Sequence, residues 1–274
     1  TEHGSMRAAL DWLIESGQRD LGLRLAVALG PFWTAHDYLQ EGDAYLQELL
    51  TANTGGSDTL HARALSHAGA ISRLLGRLEQ AAEAYARSRA IFRGAGDGAA
   101  YADATFQLGL VRADQGQKRQ ALEQFHESLA TFEQLGDAQR AGIVHASLGR
   151  IALDQGDVAS ADDHFARGEA LLQGADDQTE LAWLLVNRSR LARVQRDYES
   201  ALALLEEAEN IFRQLRHSQG LGWTLLWQGS ALAALKIRAG ALETLNESLT
   251  LFTRLANLVG QAIAHQLLAE LASS

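Results

Sequence analysis

Four columns of like residues recur along this chain at a spacing of 40. The first holds small residues: Gly69, Gly109, Gly149, Ser189 and Gly229. Twelve positions later run Ala81, Ala121, Ala161, Ala201 and Ala241. A third column carries Tyr85, Phe125, Phe165, Leu205 and Leu245, and a fourth Phe92, Phe132, Leu172, Phe212 and Phe252. Self-similarity at one fixed period means that a single supersecondary unit is copied, and that each copy buries its apolar face against its neighbours. The chain is therefore read as a stacked repeat array.

One copy shows the physics. In residues 102–137, Leu108, Gly109 and Val111 place a packed stripe on a first helix. That helix stops at Gln115-Gly116, where glycine takes the left-handed conformation without penalty. A second helix buries Ala121, Leu122, Phe125, Leu129 and Phe132 at spacings of three and four. Gly136 ends it and Asp137 caps the next. The small residues at 109 and 121 let two helices approach closely, with Phe125 filling the wedge beside them.

The small residue, the alanine twelve later and the aromatic four further on resemble the tetratricopeptide repeat (TPR). The resemblance implies an all-α fold: an α-solenoid, a right-handed superhelix of helix-turn-helix TPR units, here with a 40-residue period. The usual unit has about 34 residues; the surplus is expected as a longer second helix plus a loop. Five units fit, 62–101, 102–141, 142–181, 182–221 and 222–261. Residues 1–61 hold a leading helix from Ser5 to Glu15 and a degenerate unit at 20–51, with Asp37-Tyr38 at its turn. Residues 262–274 form a terminal capping helix. Thr1 is not a methionine, and Gln261 to Ser274 reads as a first helix without its partner. The chain is thus expected to be a segment of a longer polypeptide, a single capping helix being the alternative.

The opening segment carries a second resemblance. Glu2-His3, Met6 through Trp12, Gly22 through Ala26, Phe32-Trp33, Glu41-Gly42 and Leu46 to Leu50 resemble the segments leading into 40-residue TPR arrays of MalT-like and AfsR-like bacterial signalling ATPases of the STAND class. That resemblance implies a sensor arm of a transcriptional regulator, receiving a small inducer or a protein and releasing an upstream nucleotide-binding module. The ATPase half is not in this sequence, for no G-x-x-x-x-G-K-[ST] phosphate loop occurs. Gly94, Gly96 and Gly98 follow a helix and read as an inter-repeat turn.

Charge and composition narrow the partners. A formal charge of −10 argues against a surface built to neutralise phosphates along nucleic acid. With no cysteine there are neither disulfides nor Cys-ligated metals. No run of 18 apolar residues and no signal pattern occurs, so cytoplasmic residence without membrane contact is expected. Glu123 and His126 form a lone E-x-x-H pair without the duplicate that di-iron bundles use. Asp162-Asp163-His164 sits beside the buried columns and reads as solvated polar surface. No G-x-S-x-G elbow appears. No enzyme activity, metal or cofactor is expected.

In TPR stacks the first helices line the concave groove. Counted from Ala62, the second position reads Arg63, Asp103, Ile143, Trp183, Trp223; the ninth Ala70, Leu110, Arg150, Arg190, Ser230; the twelfth Arg73, Ala113, Leu153, Arg193, Ala233. Arg150, Asp154, Trp183, Asn187, Arg190, Arg193, Trp223 and Trp227 thus gather in units three to five. Guanidinium groups pair with carboxylate or phosphate, and tryptophan offers a flat apolar face. The cluster is a candidate groove for a protein, a peptide or a small anionic or aromatic ligand. The structural alternative stays open: the tryptophans plug gaps between units and the arginines pair with Asp154 or nearby glutamates. Arg188, where earlier units carry Ala68, Leu108 and Leu148, and Ser189, in the glycine column, suggest looser or hydrated packing at that step. The functional expectation is a non-catalytic binding arm of a bacterial regulator, with a free-standing scaffold or a signalling-peptide receptor as alternatives. Self-association through a cut end is left open.

Overall fold

A computed structural model describes residues 2–36, 38–52, 58–175 and 178–273. Asp37, read at a turn, lies outside the described residues, as do Thr1 and Ser274. Fourteen helices and no strand occur among the described residues: α1 (Glu2–Glu15), α2 (Arg19–Ala35), α3 (Leu39–Ala52), α4 (Asp58–Leu74), α5 (Leu78–Ala95), α6 (Gly98–Asp114), α7 (Lys118–Leu135), α8 (Ala138–Asp154), α9 (Val158–Leu172), α10 (Thr179–Val194), α11 (Tyr198–Gln214), α12 (Ser218–Ala234), α13 (Arg238–Arg254) and α14 (Leu258–Ser273). The fold is an α-solenoid of helical repeats. It divides into two compact units, residues 1–136 and 137–274.

The 40-residue columns become the contacts that close each hairpin. The five alanines of the second column are fully buried, as are Phe125 and Phe165. A Cβ on Gly109 would lie 2.6 Å from the Phe125 ring, and one on Gly149 2.7 Å from the Phe165 ring. Glycine at these positions therefore sets the helix crossing, by letting an aromatic ring lie against bare backbone. Caps repeat as well. Backbone N–H groups of Ala100, Arg140, Ser160 and Ser200 donate to Asp97, Asp137, Asp157 and Asp197 at 3.0–3.1 Å. Those carboxylates occupy the positive helix ends. The serine hydroxyl and backbone bonds at Ser160 and Ser200 hold the Asp157 and Asp197 carboxyls below the usual range. At the equivalent start of α12 the imidazole of His217 accepts from Gly220 instead.

Among the described residues, turn residues in the left-handed region fall on a 20-residue spacing over 76–156 and again over 196–256. Gly76, Gly96, Gly116, Gly136 and Gly156 fill them first, with φ of 70° to 80°; Arg196, Arg216, Lys236 and Ala256 fill them later, at 52° to 62°. Gly96 thus ends α5, and Gly94 and Gly98 lie within α5 and at the start of α6.

First and second helices are nearly equal in length, 17 and 18 residues in α6 and α7. First helices begin at 58, 98, 138, 179 and 218. The expected loose step at Arg188 and Ser189 is closed. Ser189 is fully buried and its hydroxyl donates to the Val186 carbonyl at 2.7 Å. Arg188 pairs with Glu169 on α9, and Gln228, one period on, donates to Glu209 at 2.7 Å. A polar pair between adjacent helices replaces the apolar contact of the earlier copies.

Candidate functional site

The eight candidate residues all lie in the 137–274 unit, on α8, α10 and α12. Periodicity explains the placement. Trp183, Asn187 and Arg190 follow at spacings of four and three along α10, which puts them on one helix face, and Trp223 and Trp227 do the same on α12.

Asp154, at the end of α8, is the hub of the polar half. Its carboxylate lies 3.3 Å from Arg190 Nη2 and 4.0 Å from Arg150 Nη1. Arg190 also donates to Asn187 Oδ1 at 3.5 Å, and Asn187 donates to the Trp183 carbonyl at 3.1 Å, which ties the polar chain to the aromatic one. These arginines and Asp154 are each about one-third exposed, so water screens their pairs strongly.

Arg193 is different. Its guanidinium carbon sits 4.7 Å from the centre of the Trp227 ring, and Nη2 donates to Ser230 Oγ at 2.9 Å. Its Nε is buried with no hydrogen-bond partner, and no carboxylate pairs with it among the described residues. Burial lowers its pKa from the ordinary arginine value; Tyr198 opposes that shift and the like charge of Arg190 adds to it. Arginine stays charged even so. The protein therefore holds a half-buried cation, stacked on an indole and short of an anion.

The tryptophans do two jobs. Trp183 meets Phe212 edge-on at 5.2 Å and His217 at 6.0 Å; Trp223 meets Phe252 edge-on at 5.0 Å. Each thus packs on the fourth-column phenylalanine of its own repeat, which is the gap-plugging role. Their remaining faces line space. A cavity of about 210 Å³ is bounded by Trp183, Val186, Asn187, Arg190, Trp223 and Trp227. A second of about 370 Å³ is bounded by Leu153, Asp154, Arg190, Arg193, Val194 and Trp227.

Two features escaped the sequence reading. His145, on α8, and His164, on α9, face each other Nδ1 to Nδ1 at 2.9 Å, with His145 almost wholly buried. His164 is only partly exposed, whereas Asp162 and Asp163 are exposed as expected. In the 1–136 unit a cavity of about 570 Å³ lies between α3, α4 and α5, over the small residues Ala68 and Ser72. Glu123 and His126 are both exposed on α7. No cluster of three or more metal-ligating side chains occurs among the described residues. Nor is any described helix long and apolar enough to cross a membrane.

Comparison with known proteins agrees with this architecture. Residues 60–134 match the tetratricopeptide repeat family. No curated protein sequence matches the chain. Among solved structures, BtubC (BKLC) from P. vanneervenii is similar at 18% identity and a TM-score of 0.64, covering 78% of this chain and 91% of that one. The Cut9–Hcn1 assembly of the APC/C is similar at 17% identity and a TM-score of 0.70 over 97% of this chain, which spans only 45% of that protein. The quorum sensor NprR from B. thuringiensis, in its apo form, gives 12% identity and a TM-score of 0.69, with coverages of 91% and 69%. NprR in complex with its cognate peptide NprX gives 11% and 0.67, with coverages of 88% and 69%. At such identities the likeness shows the fold alone. With the repeat match it supports a TPR array.

Proposed function

We propose that this chain is a non-catalytic binding arm whose first-helix groove in the 137–274 unit captures a protein or peptide through anionic and apolar groups. The observation that carries this reading is Arg193, a half-buried guanidinium stacked on Trp227 with no carboxylate of its own. Buried polar groups in native proteins are almost always paired, so an orphan beside a cavity calls for a partner from outside. Tryptophan and arginine are also the side chains that most often dominate binding energy. The fold-level likeness to NprR, solved with a cognate peptide, favours a peptide partner.

In the setting suggested by the opening segment, capture would bias an attached nucleotide switch, through different affinities for two states of the array. The test is a pulldown from lysate with the wild-type chain and with Trp183→Ala and Arg190→Ala, read by mass spectrometry of proteins and small molecules. Partners lost from both variants support the groove. Partners held equally by all three chains contradict it. An upstream phosphate loop in the surrounding reading frame supports the sensor setting, and a native start codon near Thr1 supports a free-standing scaffold.

A further inference from the structure

We infer that the groove is a two-chamber site for an anionic ligand bearing a carboxylate beside an aromatic ring, with Asp154 as its resident competitor. This deepens the groove reading above and rests on it.

The two cavities share a wall, because Arg190 and Trp227 line both. One chamber is faced by three indoles, the other by two guanidinium groups and one carboxylate. A ligand that fills both must place a flat apolar group within a few bonds of an anion. The aromatic chamber is an open recess of about 210 Å³ whose three indoles offer flat faces to a ring.

Charge selects the anion. Arg150, Arg190 and Arg193 stand around Asp154, three positive charges against one negative, leaving a surplus of positive charge for an anion from outside. Geometry agrees. Arg193 carries a buried, unpartnered Nε next to an Nη2 held only by a serine hydroxyl, and a carboxylate that displaces Ser230 can place its paired oxygens on that edge. Arg190 is already held by a carboxylate at 3.3 Å, through a solvent-screened contact that an incoming carboxylate can replace. Asp154 then retains Arg150.

Two sources carry this chemistry: a free aryl carboxylic acid, and the C-terminus of a peptide that ends in an aromatic residue. The experiment titrates the full chain, with its tryptophans labelled with 15N, and follows the indole N–H resonances. The probes are N-acetyl-phenylalanine, its amide, a short Gly/Ser peptide ending in free phenylalanine, the same peptide amidated, and phenyl phosphate. Acids are expected to move the Trp223 and Trp227 signals and to bind at least about tenfold more tightly than their amides. Arg193→Gln should bring the acids down to the amide level, with Arg193→Lys as a charge-retaining companion of intermediate affinity. Asp154→Asn should tighten the acids several-fold and leave the amides unchanged. A preference for the peptide over N-acetyl-phenylalanine, or the reverse, identifies the source, and either supports the site.

Equal affinity for acid and amide overturns the inference, as does tighter binding of phenyl phosphate or no indole shift with any probe. If lysate partners still depend on Trp183 and Arg190 in that event, the groove reading survives and only the ligand class falls. If they do not, both fall.

Discussion

Replacing Gly109 with alanine adds one carbon, and the structure says where it must go. The new Cβ would lie 2.6 and 2.7 Å from two carbons of the Phe125 ring and 3.1 Å from Gln124 Cβ. Comfortable carbon contacts are about 3.5–4.0 Å, so the α6–α7 crossing must open by roughly 1 Å. Phe125 is fully buried and cannot swing aside. Overpacking of this kind costs about 1–3 kcal/mol, against about 1 kcal/mol returned by the better helix propensity of alanine. Gly109→Ala should therefore destabilise by about 1 kcal/mol, and Gly109→Val by about 2–4 kcal/mol. Gly94, also inside a helix, provides the control, because nothing lies within 4 Å of its added Cβ. Gly94→Ala should stabilise by about 0.5–1 kcal/mol. Followed by circular dichroism during heating, the two alanine variants should move the midpoint in opposite directions, by about 2–4 °C per kcal/mol. Shifts of the same sign and size would refute the idea that close approach, rather than helix propensity, places glycine in this column.

Two further outcomes follow from other parts of the chain. Arg196 and Lys236 occupy left-handed turn positions that earlier copies give to glycine. A left-handed residue with a side chain costs about 1–2 kcal/mol, and glycine gives back about 0.5–1 kcal/mol in unfolded-chain entropy. Arg196→Gly and Lys236→Gly should each raise stability by up to about 1 kcal/mol in thermal melts, while Gly116→Ala should lower it. Burial lowers the pKa of His67 below its ordinary value of 6.5. The unfolded chain then binds the proton more readily, so this contribution is complete above about pH 6.5 and is lost as pH falls through the lower folded value. Melting midpoints measured from pH 8 to pH 5 should fall less steeply in His67→Leu than in wild type. An unchanged slope would place the titrating group elsewhere.

The repeat architecture was legible because a column in a solenoid is a single physical environment. Wherever the 40-residue spacing brought glycine, alanine and an aromatic residue into register, the structure shows a buried helix crossing. The gathering of the candidate residues was legible for the same reason: Trp183 and Trp223 share a column, as do Arg150 and Arg190. Features that depend on one copy alone gave no such signal. His145 and His164 occupy columns that hold Leu65, Thr105, Leu185 and Leu225, and Ala84, Gln124, Leu204 and Thr244, in the other copies, so periodicity passes over their pairing. The cavity over Ala68 and Ser72 arises where the next copy has Leu108 and Arg112, an absence of bulk rather than a motif. Arg188 was noticed as a departure, but its partner Glu169 lies on a different helix, and only packing shows that the two meet.

The five tryptophans allow a direct test of whether the groove captures a partner. Trp12 is 58% exposed on α1, Trp33 is almost wholly buried, and Trp183, Trp223 and Trp227 line the groove. Hydroxyl-radical footprinting read by mass spectrometry, with and without a partner recovered by pulldown, compares all five in one sample. The account predicts that oxidation of the three groove indoles falls several-fold on binding, while Trp12 remains as reactive as before. Unchanged oxidation at Trp183, Trp223 and Trp227 with the partner demonstrably bound would contradict it.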